Sequence, residues 1–93
     1  MEFEWDENKN KSNQDKHGVD FNKAKDVFND ENKIDIDIEN SEEKYGEKRK
    51  IVIGAIVDII HTVVYTIRNS VCRIISARAA SKKERKLYNN LNS

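Results

Sequence analysis

The chain has 93 residues, of which 37% are apolar and 37% are charged, and it contains no proline. This length predicts a single small domain over residues 1–93 and excludes a large multidomain enzyme, while the apolar content excludes a disordered tail. The formal net charge is zero, yet residues 1–47 carry 15 acidic and 7 basic side chains and residues 48–93 carry 2 acidic and 10 basic ones.

The first predicted elements are a short strand and a polar helix. The alternation over Phe3–Trp5 predicts a strand, and Asp6 is a favourable N-cap for a helix that ends near His17. Gly18 then supplies the left-handed residue with which many helices stop.

A second helix and a half-buried strand are predicted next. Asp20 is the N-cap of this helix, whose apolar residues share one face: Phe21, Ala24, Val27 and Phe28. In the segment 34–39, isoleucines alternate strictly with carboxylates, so one face of the strand is apolar and the other acidic. A polar loop containing Gly46 follows.

The second half of the chain predicts three strands rich in isoleucine and valine: Arg49–Gly54, Ile59–Arg68 and Val71–Arg78. Their short links predict antiparallel hairpins, with a tight turn at Asn69-Ser70 and a link near residues 57–59 that lacks glycine. The stretch 51–67 is long enough to suggest a membrane span, but Asp58 and His61 would be costly in a bilayer. We therefore expect strands and no membrane association.

The C-terminal segment predicts one more helix. Ser81 and Glu84 form a capping box, after which Leu87, Tyr88 and Leu91 lie on the inner face of the helix. The predicted order is βααββββα, an α+β fold in which two N-terminal helices and one C-terminal helix pack on a twisted antiparallel sheet.

No residue pattern predicts a metal or a cofactor. The one cysteine and the two histidines, 44 positions apart, lack zinc-ligand spacing, and the three glycines are isolated, so no phosphate-binding loop is expected. Cys72 lies on a predicted core strand, where a thiol is inert, and it cannot form an internal disulfide alone. The N-terminus lacks the order of a secretory signal, so the expected location is the reducing cytoplasm.

The arginines are the main candidates for chemistry, because a planar guanidinium suits phosphate. All five lie in the basic half, where they favour a polyanionic partner unless the two halves simply neutralise each other. Arg68 and Arg78 end neighbouring strands, where they either contact solvent or converge on an anion. Arg73 and Arg78 are an odd number of residues apart, so they point to opposite faces unless a bulge intervenes.

Two interpretations are open for His17 and for Tyr88. His17 is either a cation at the end of a helix or a proton-transfer group, a role for which histidine is the usual residue. Tyr88 is either a core residue with its hydroxyl at the surface or a second proton-transfer group.

Several motifs occur in a specific order along nearly the whole chain. Residues 3–21 contain F-x-W-D-x-x-K-x-x-x-N-x-x-K-H-G-V-x-F. Four further motifs follow along the chain: Glu47-Lys48-Arg49 with Gly54 after it, Val63–Arg68, Arg73–Arg78, and Glu84-Arg85 with Tyr88 after it. In this order the motifs resemble the BrnT family of ribonuclease toxins from bacterial toxin-antitoxin operons.

The resemblance implies a compact fold like that of RelE-type toxins and an endoribonuclease that needs no metal, inhibits translation and arrests growth. It also implies a neutralising partner, a ribbon-helix-helix antitoxin similar to BrnA, in a complex expected to be a heterotetramer. Operator DNA would be contacted only through the antitoxin.

Metal-free cleavage is chemically feasible because the 2′-hydroxyl of RNA is an internal nucleophile beside the phosphate. With the resemblance as a guide, charge stabilisation on the phosphate is assigned to Arg49, Arg68 and Arg78. His17 is the candidate proton-transfer group and Tyr88 a second one. RNA binding is assigned to basic residues around them: Lys16, Arg73, Lys82 and Arg85.

Two positions depart from the family pattern. Ile67 stands where the family usually has glutamate before the strand-end arginine, and Ile59 stands where the hairpin usually has glycine. The first departure removes a candidate base or arginine partner, so a non-catalytic co-repressor subunit that binds the antitoxin is an alternative function. A stand-alone nucleic-acid-binding domain, with salt-dependent affinity and no cleavage, is another.

Overall fold

The computed structural model describes all of residues 1–93. Its strands are β1 (Glu2–Glu4), β2 (Ile34–Asp37), β3 (Lys50–Ile56), β4 (Ile59–Arg68) and β5 (Val71–Ala79). Its α-helices are α1 (Glu7–His17), α2 (Phe21–Ala24), α3 (Ser41–Tyr45) and α4 (Lys82–Leu91), and a 3-10 helix (Lys25–Asn29) continues α2. The predicted α+β class is confirmed.

The five strands form one mixed sheet in the order β1-β5-β4-β3-β2. β1 runs parallel to β5, whereas all other neighbours are antiparallel. The prediction of a wholly antiparallel sheet was therefore wrong at this edge. Nearly the whole chain separates β1 from β5, so no hairpin dictates their relative direction.

The element order also differs from the prediction, because the segment expected to be a polar loop contains α3. This helix ends at Gly46, whose φ of 73° is the left-handed conformation that favours glycine. The order is thus βααβαβββα, with the 3-10 helix as part of the second helical segment.

Both hairpins have two-residue turns in which both residues have positive φ. The predicted turn at Asn69 and Ser70 is confirmed, with φ of 51° and 65°. The other turn is Val57-Asp58, with φ of 46° and 65°, so β3 extends to Ile56 and Ile59 is already extended backbone. A glycine is therefore not needed at Ile59.

The hydrophobic core lies between the sheet and the helical segment 7–29. It contains fully buried side chains from both layers, among them Phe21, Val27, Val52, Val63 and Cys72. The predicted N-caps are confirmed, since Asp6 and Asp20 accept backbone N–H groups of the following turns. On the outer edge of β5, the Asn13 amide takes the place of a neighbouring strand by pairing with both backbone groups of Ala77.

The opposite face of the sheet carries α4. Its predicted capping box is confirmed: the Ser81 hydroxyl accepts from Glu84 N, and the Glu84 carboxylate accepts from Ser81 N. Tyr88 is buried as predicted, but Leu91 is 63% exposed and Leu87 is only partly covered, so the predicted inner face was too wide. None of the helices has the length and apolar character needed to cross a membrane.

Candidate active site on the arginine face

Three arginines lie on the face of the sheet that points away from the core. In β4 and β5, Tyr65 pairs with Ile74 and Val64 pairs with Ser76, so Ile75 is an extra, bulged residue. The bulge reverses the alternation, and Arg73 and Arg78 therefore share a face although their spacing is odd. Arg68 lies on the same side, because it is two residues beyond Thr66, which pairs with Arg73. We call this surface the arginine face: Arg68, Arg73, Ser76 and Arg78.

The arginines form a row and not a single cluster. Arg68 pairs with Val71 beside the hairpin turn, whereas Arg78 pairs with Thr62 at the other end of β4. Six residues of strand separate these positions, which is about 20 Å. Arg68 and Arg78 consequently do not converge on one anion, and Arg73 lies between them.

At the hairpin end of the row, one carboxylate holds two arginines. Arg49 Nε donates to Glu47 Oε2 at 3.2 Å, and Arg68 Nε donates to Glu47 Oε1 at 3.0 Å. The bond from Arg68 is the main cause that lowers the pKa of Glu47, so this carboxyl is ionised at neutral pH. The guanidinium of Arg49 also lies over the Tyr45 ring, with Cζ 3.9 Å from the ring centroid. We call Glu47, Arg49 and Arg68 the hairpin-end cluster.

The other two arginines of the row are also paired with carboxylates. Arg73 donates to Glu4 of β1 at 2.6 Å. Arg78 makes a two-point contact with Glu84 of α4, at 2.6 and 3.0 Å, and Glu84 also accepts from Thr62. The bonds from Arg78 lower the pKa of Glu84 to about 2, and the carboxylate in turn raises the pKa of Arg78. Each guanidinium is thus held in a defined position.

Lys16 and His17 lie at the edge of this face. Both line a shallow groove of about 570 Å³ together with Ile75 and Ser76. Along β5, this groove lies between Arg73 and Arg78. The end of α1 thus meets β5 at the bulge, where Asp15 also lines the groove and the side chains of Arg73 and Arg78 do not.

The remaining predicted site residues belong to α4. Lys82 is exposed in the first turn, and Arg85 donates to the backbone carbonyl of Ala80 at 2.8 Å. The Tyr88 hydroxyl donates to Asp30 Oδ2 at 2.6 Å, and this bond raises the pKa of Tyr88 to about 12. Its hydroxyl thus donates to Asp30 and not to a residue of the arginine row, and its role as a proton-transfer group stays a prediction.

The chain contains no group of three or more histidine, cysteine, aspartate or glutamate side chains that could hold a metal ion. A family model described as the ribonuclease toxin BrnT of type II toxin-antitoxin systems matches residues 5–84. The chain belongs to the BrnT family. Comparison with curated proteins gives no match.

The matched range covers the arginine face, the groove and the hairpin-end cluster. Within it, the structure explains how this BrnT chain accommodates Ile67. Ile67 and Arg68 are consecutive strand residues and point to opposite faces, so a side chain at position 67 is directed away from the arginine face. The partner of Arg68 is instead Glu47.

Sequence reasoning did not assign a role to the carboxylates that hold the arginines. Glu84 was expected only as a helix cap, Glu47 only as part of a motif, and Glu4 only as a residue of the first strand. The spacing Glu47-x-Arg49 was a local signal, but the pairs with Arg68 and Arg73 join residues 21 and 69 positions apart.

Proposed function

We propose that the chain is a metal-independent endoribonuclease that binds RNA along the arginine face, inhibits translation and growth, and is neutralised by an antitoxin similar to BrnA. The observation that carries the proposal is the row of Arg68, Arg73 and Arg78 within a chain of the ribonuclease toxin family. Three fixed cations along about 20 Å of one strand pair suit several phosphates of one polyanion.

The chemistry needs three contributions. A group must help to remove the proton of the 2′-hydroxyl, charge must be stabilised on the phosphate as the 2′-oxygen attacks, and the leaving 5′-oxygen must receive a proton. The 2′,3′-cyclic phosphate and the free 5′-hydroxyl that result leave atoms and charge balanced. None of these steps requires a bound metal, because guanidinium groups can stabilise the charge.

Because Arg68 and Arg78 are too far apart to bind one phosphate, we assign different roles to the arginines. We assign the phosphate that is cut to the groove between Arg73 and Arg78, with Arg78 stabilising its charge and His17 transferring a proton. Lys16 binds phosphate beside them, with Lys82 and Arg85 extending the basic surface along α4. The hairpin-end cluster, with Arg49 and Arg68, binds another phosphate of the same strand.

The carboxylate partners hold the arginines in position but do not use all of their N–H donors. A guanidinium has five N–H donors, and the pair with Glu84 uses one from each terminal nitrogen of Arg78. Donors remain for a phosphate, so Glu84 is a positioning residue. Glu47 has the same role for Arg49 and Arg68.

An apolar groove offers a surface for the antitoxin. Ile36, Ile51, Ile53 and Leu87 line it between α4 and the edge strand β2, beside Lys83 and Lys86. The outer edge of β2 has no partner strand. An acidic, partly apolar antitoxin segment fits this surface. The same proposal includes a ribbon-helix-helix fold for the antitoxin, a heterotetrameric complex and a RelE-type fold for the toxin. Operator DNA would be contacted only through the antitoxin.

A second candidate function is a co-repressor subunit without activity. The departure at Ile67 favours it on the sequence, although the Ile67 side chain points away from the arginine face and Glu47 pairs with Arg68. Expression in a bacterium with and without the cognate antitoxin distinguishes the two. Growth arrest with loss of RNA, relieved by the antitoxin, is expected for the toxin. Unimpaired growth together with a stable antitoxin complex would instead establish the co-repressor.

A further inference from the structure

Tyr45 is an aromatic side chain that the core does not use. The hydroxyls of Tyr65 and Tyr88 donate to Asp35 and Asp30 at 2.6 Å, and both rings are buried. Tyr45, the last residue of α3, is 43% exposed and lies outside the hydrophobic core. An exposed ring of this kind is a surface on which another planar group can stack.

Arg49 is held against this ring by the local backbone. Gly46, with its positive φ, ends α3 and turns the chain, and Arg49 N then donates to the hydroxyl of Ser41 at 2.9 Å. The Arg49 guanidinium consequently lies 3.9 Å from the centroid of the Tyr45 ring. Aromatic rings and guanidinium planes are both surfaces on which proteins stack unpaired bases.

The stacked pair is continuous with the arginine face. Arg49 and Arg68 share the carboxylate of Glu47, one on each oxygen. Half of the Arg68 side chain is exposed to solvent. A backbone phosphate can therefore approach Arg68 while a base of the same strand reaches Tyr45.

The net charge of α3 favours a base over a phosphate at Tyr45. Lys44 Nζ lies 5.4 Å from the ring centroid, but Glu42 and Glu43 in the same five-residue helix outweigh this cation and repel a phosphate. A nucleobase is neutral and is not repelled in this way, while the adjacent Arg49 favours a π-system. Arg68 thus suits the phosphate, and Tyr45 suits the base.

We propose that Tyr45 and Arg49 form a stacking site for a nucleobase of single-stranded RNA, next to a backbone phosphate held by Arg68. This inference rests on the proposed ribonuclease function and deepens it by naming the class of substrate. The base must be unpaired, because bases within a duplex are not free to stack on a side chain. The site lies beside Arg68, at the opposite end of β4 from Arg78, so it holds the substrate and takes no part in the reaction.

The test measures binding and cleavage of a single-stranded RNA oligonucleotide by the full chain and by two variants. We expect Tyr45→Ala to weaken binding about tenfold while the cleavage rate at saturating RNA stays unchanged, and Tyr45→Trp to bind like the wild type. Ile67→Ala, at an exposed apolar position on the other side of the sheet, is the matched control and should change neither quantity. An abasic nucleotide at the stacking position should weaken binding by the wild type and have no further effect in Tyr45→Ala.

The outcomes separate this inference from the proposed function. If the wild type cleaves RNA and Tyr45→Ala binds with the same affinity, the stacking site is wrong and the ribonuclease stands. Equal affinity for duplex and single-stranded RNA would also overturn the stacking site. If binding depends on Tyr45 but no RNA is cut, the stacking site stands and the ribonuclease function fails.

Discussion

The ion pair between Glu84 and Arg78 should contribute pH-dependent stability. In Glu84→Gln the amide can still accept from Ser81 N and complete the capping box, so the substitution removes mainly the charge. The fall of the Glu84 pKa from 4.5 to about 2 would amount to roughly 3 kcal/mol without screening by water. Since the Arg78 side chain is 41% exposed, we discount this figure and expect a loss of about 1–2 kcal/mol at pH 7.

The sign of the pH dependence follows from the direction of the pKa shift. A carboxyl whose pKa is lower in the folded state stabilises the protein fully above its unfolded pKa and loses this effect as the pH falls towards the folded value. The difference in unfolding free energy between the wild type and Glu84→Gln should therefore shrink from pH 5 to pH 3.

Urea unfolding of both proteins across this pH range measures the difference directly. Glu31→Gln, which alters an exposed carboxylate that forms no ion pair, is the control and should match the wild type throughout. A difference of the same size at pH 7 and pH 3, or none at pH 7, would refute the reasoning.

Three further predictions concern single side chains. Val57→Asn should raise the free energy of unfolding by about 1 kcal/mol, because Val57 is 80% exposed and its positive φ disfavours a β-branched residue; unchanged stability in urea would contradict this. Tyr88→Phe should lower stability by about 1 kcal/mol through loss of the bond to Asp30; unchanged stability in urea would contradict this. Burial raises the pKa of Cys72 to about 11, so a thiol reagent at pH 8 should label it only in urea, and rapid labelling of the folded chain would disprove its burial.

Most helices and strands could be predicted because the residues that determine them lie close together in the sequence. The caps at Asp6, Asp20 and Ser81 were found from side chains that bond within one turn. The alternation of isoleucine and aspartate over 34–37 identified β2. By contrast, α3 is too short to show an apolar period, so its polar residues resembled a loop.

The arrangement of the candidate site could not be predicted in the same way. Ile74 and Ile75 are both apolar, so the sequence does not show which of them leaves the alternation at the bulge. Unless the position of the bulge is known, the odd spacing of Arg73 and Arg78 places them on opposite faces of the strand. The distance between Arg68 and Arg78, by contrast, follows from the predicted antiparallel hairpin with its turn at Asn69-Ser70, because the C-terminal ends of two antiparallel strands lie at opposite ends of the pair.

The most direct test of the central claim is incubation of the purified chain with total cellular RNA in excess chelator, beside Arg78→Ala, His17→Ala and Lys11→Ala. Lys11 is an exposed cation of α1 outside the groove, so its variant controls for general loss of charge. We predict cleavage that survives chelation, is unchanged in Lys11→Ala, and falls at least tenfold in Arg78→Ala and in His17→Ala, about 1.4 kcal/mol in barrier. Intact RNA after incubation with the folded wild type, with and without ribosomes, would contradict the account.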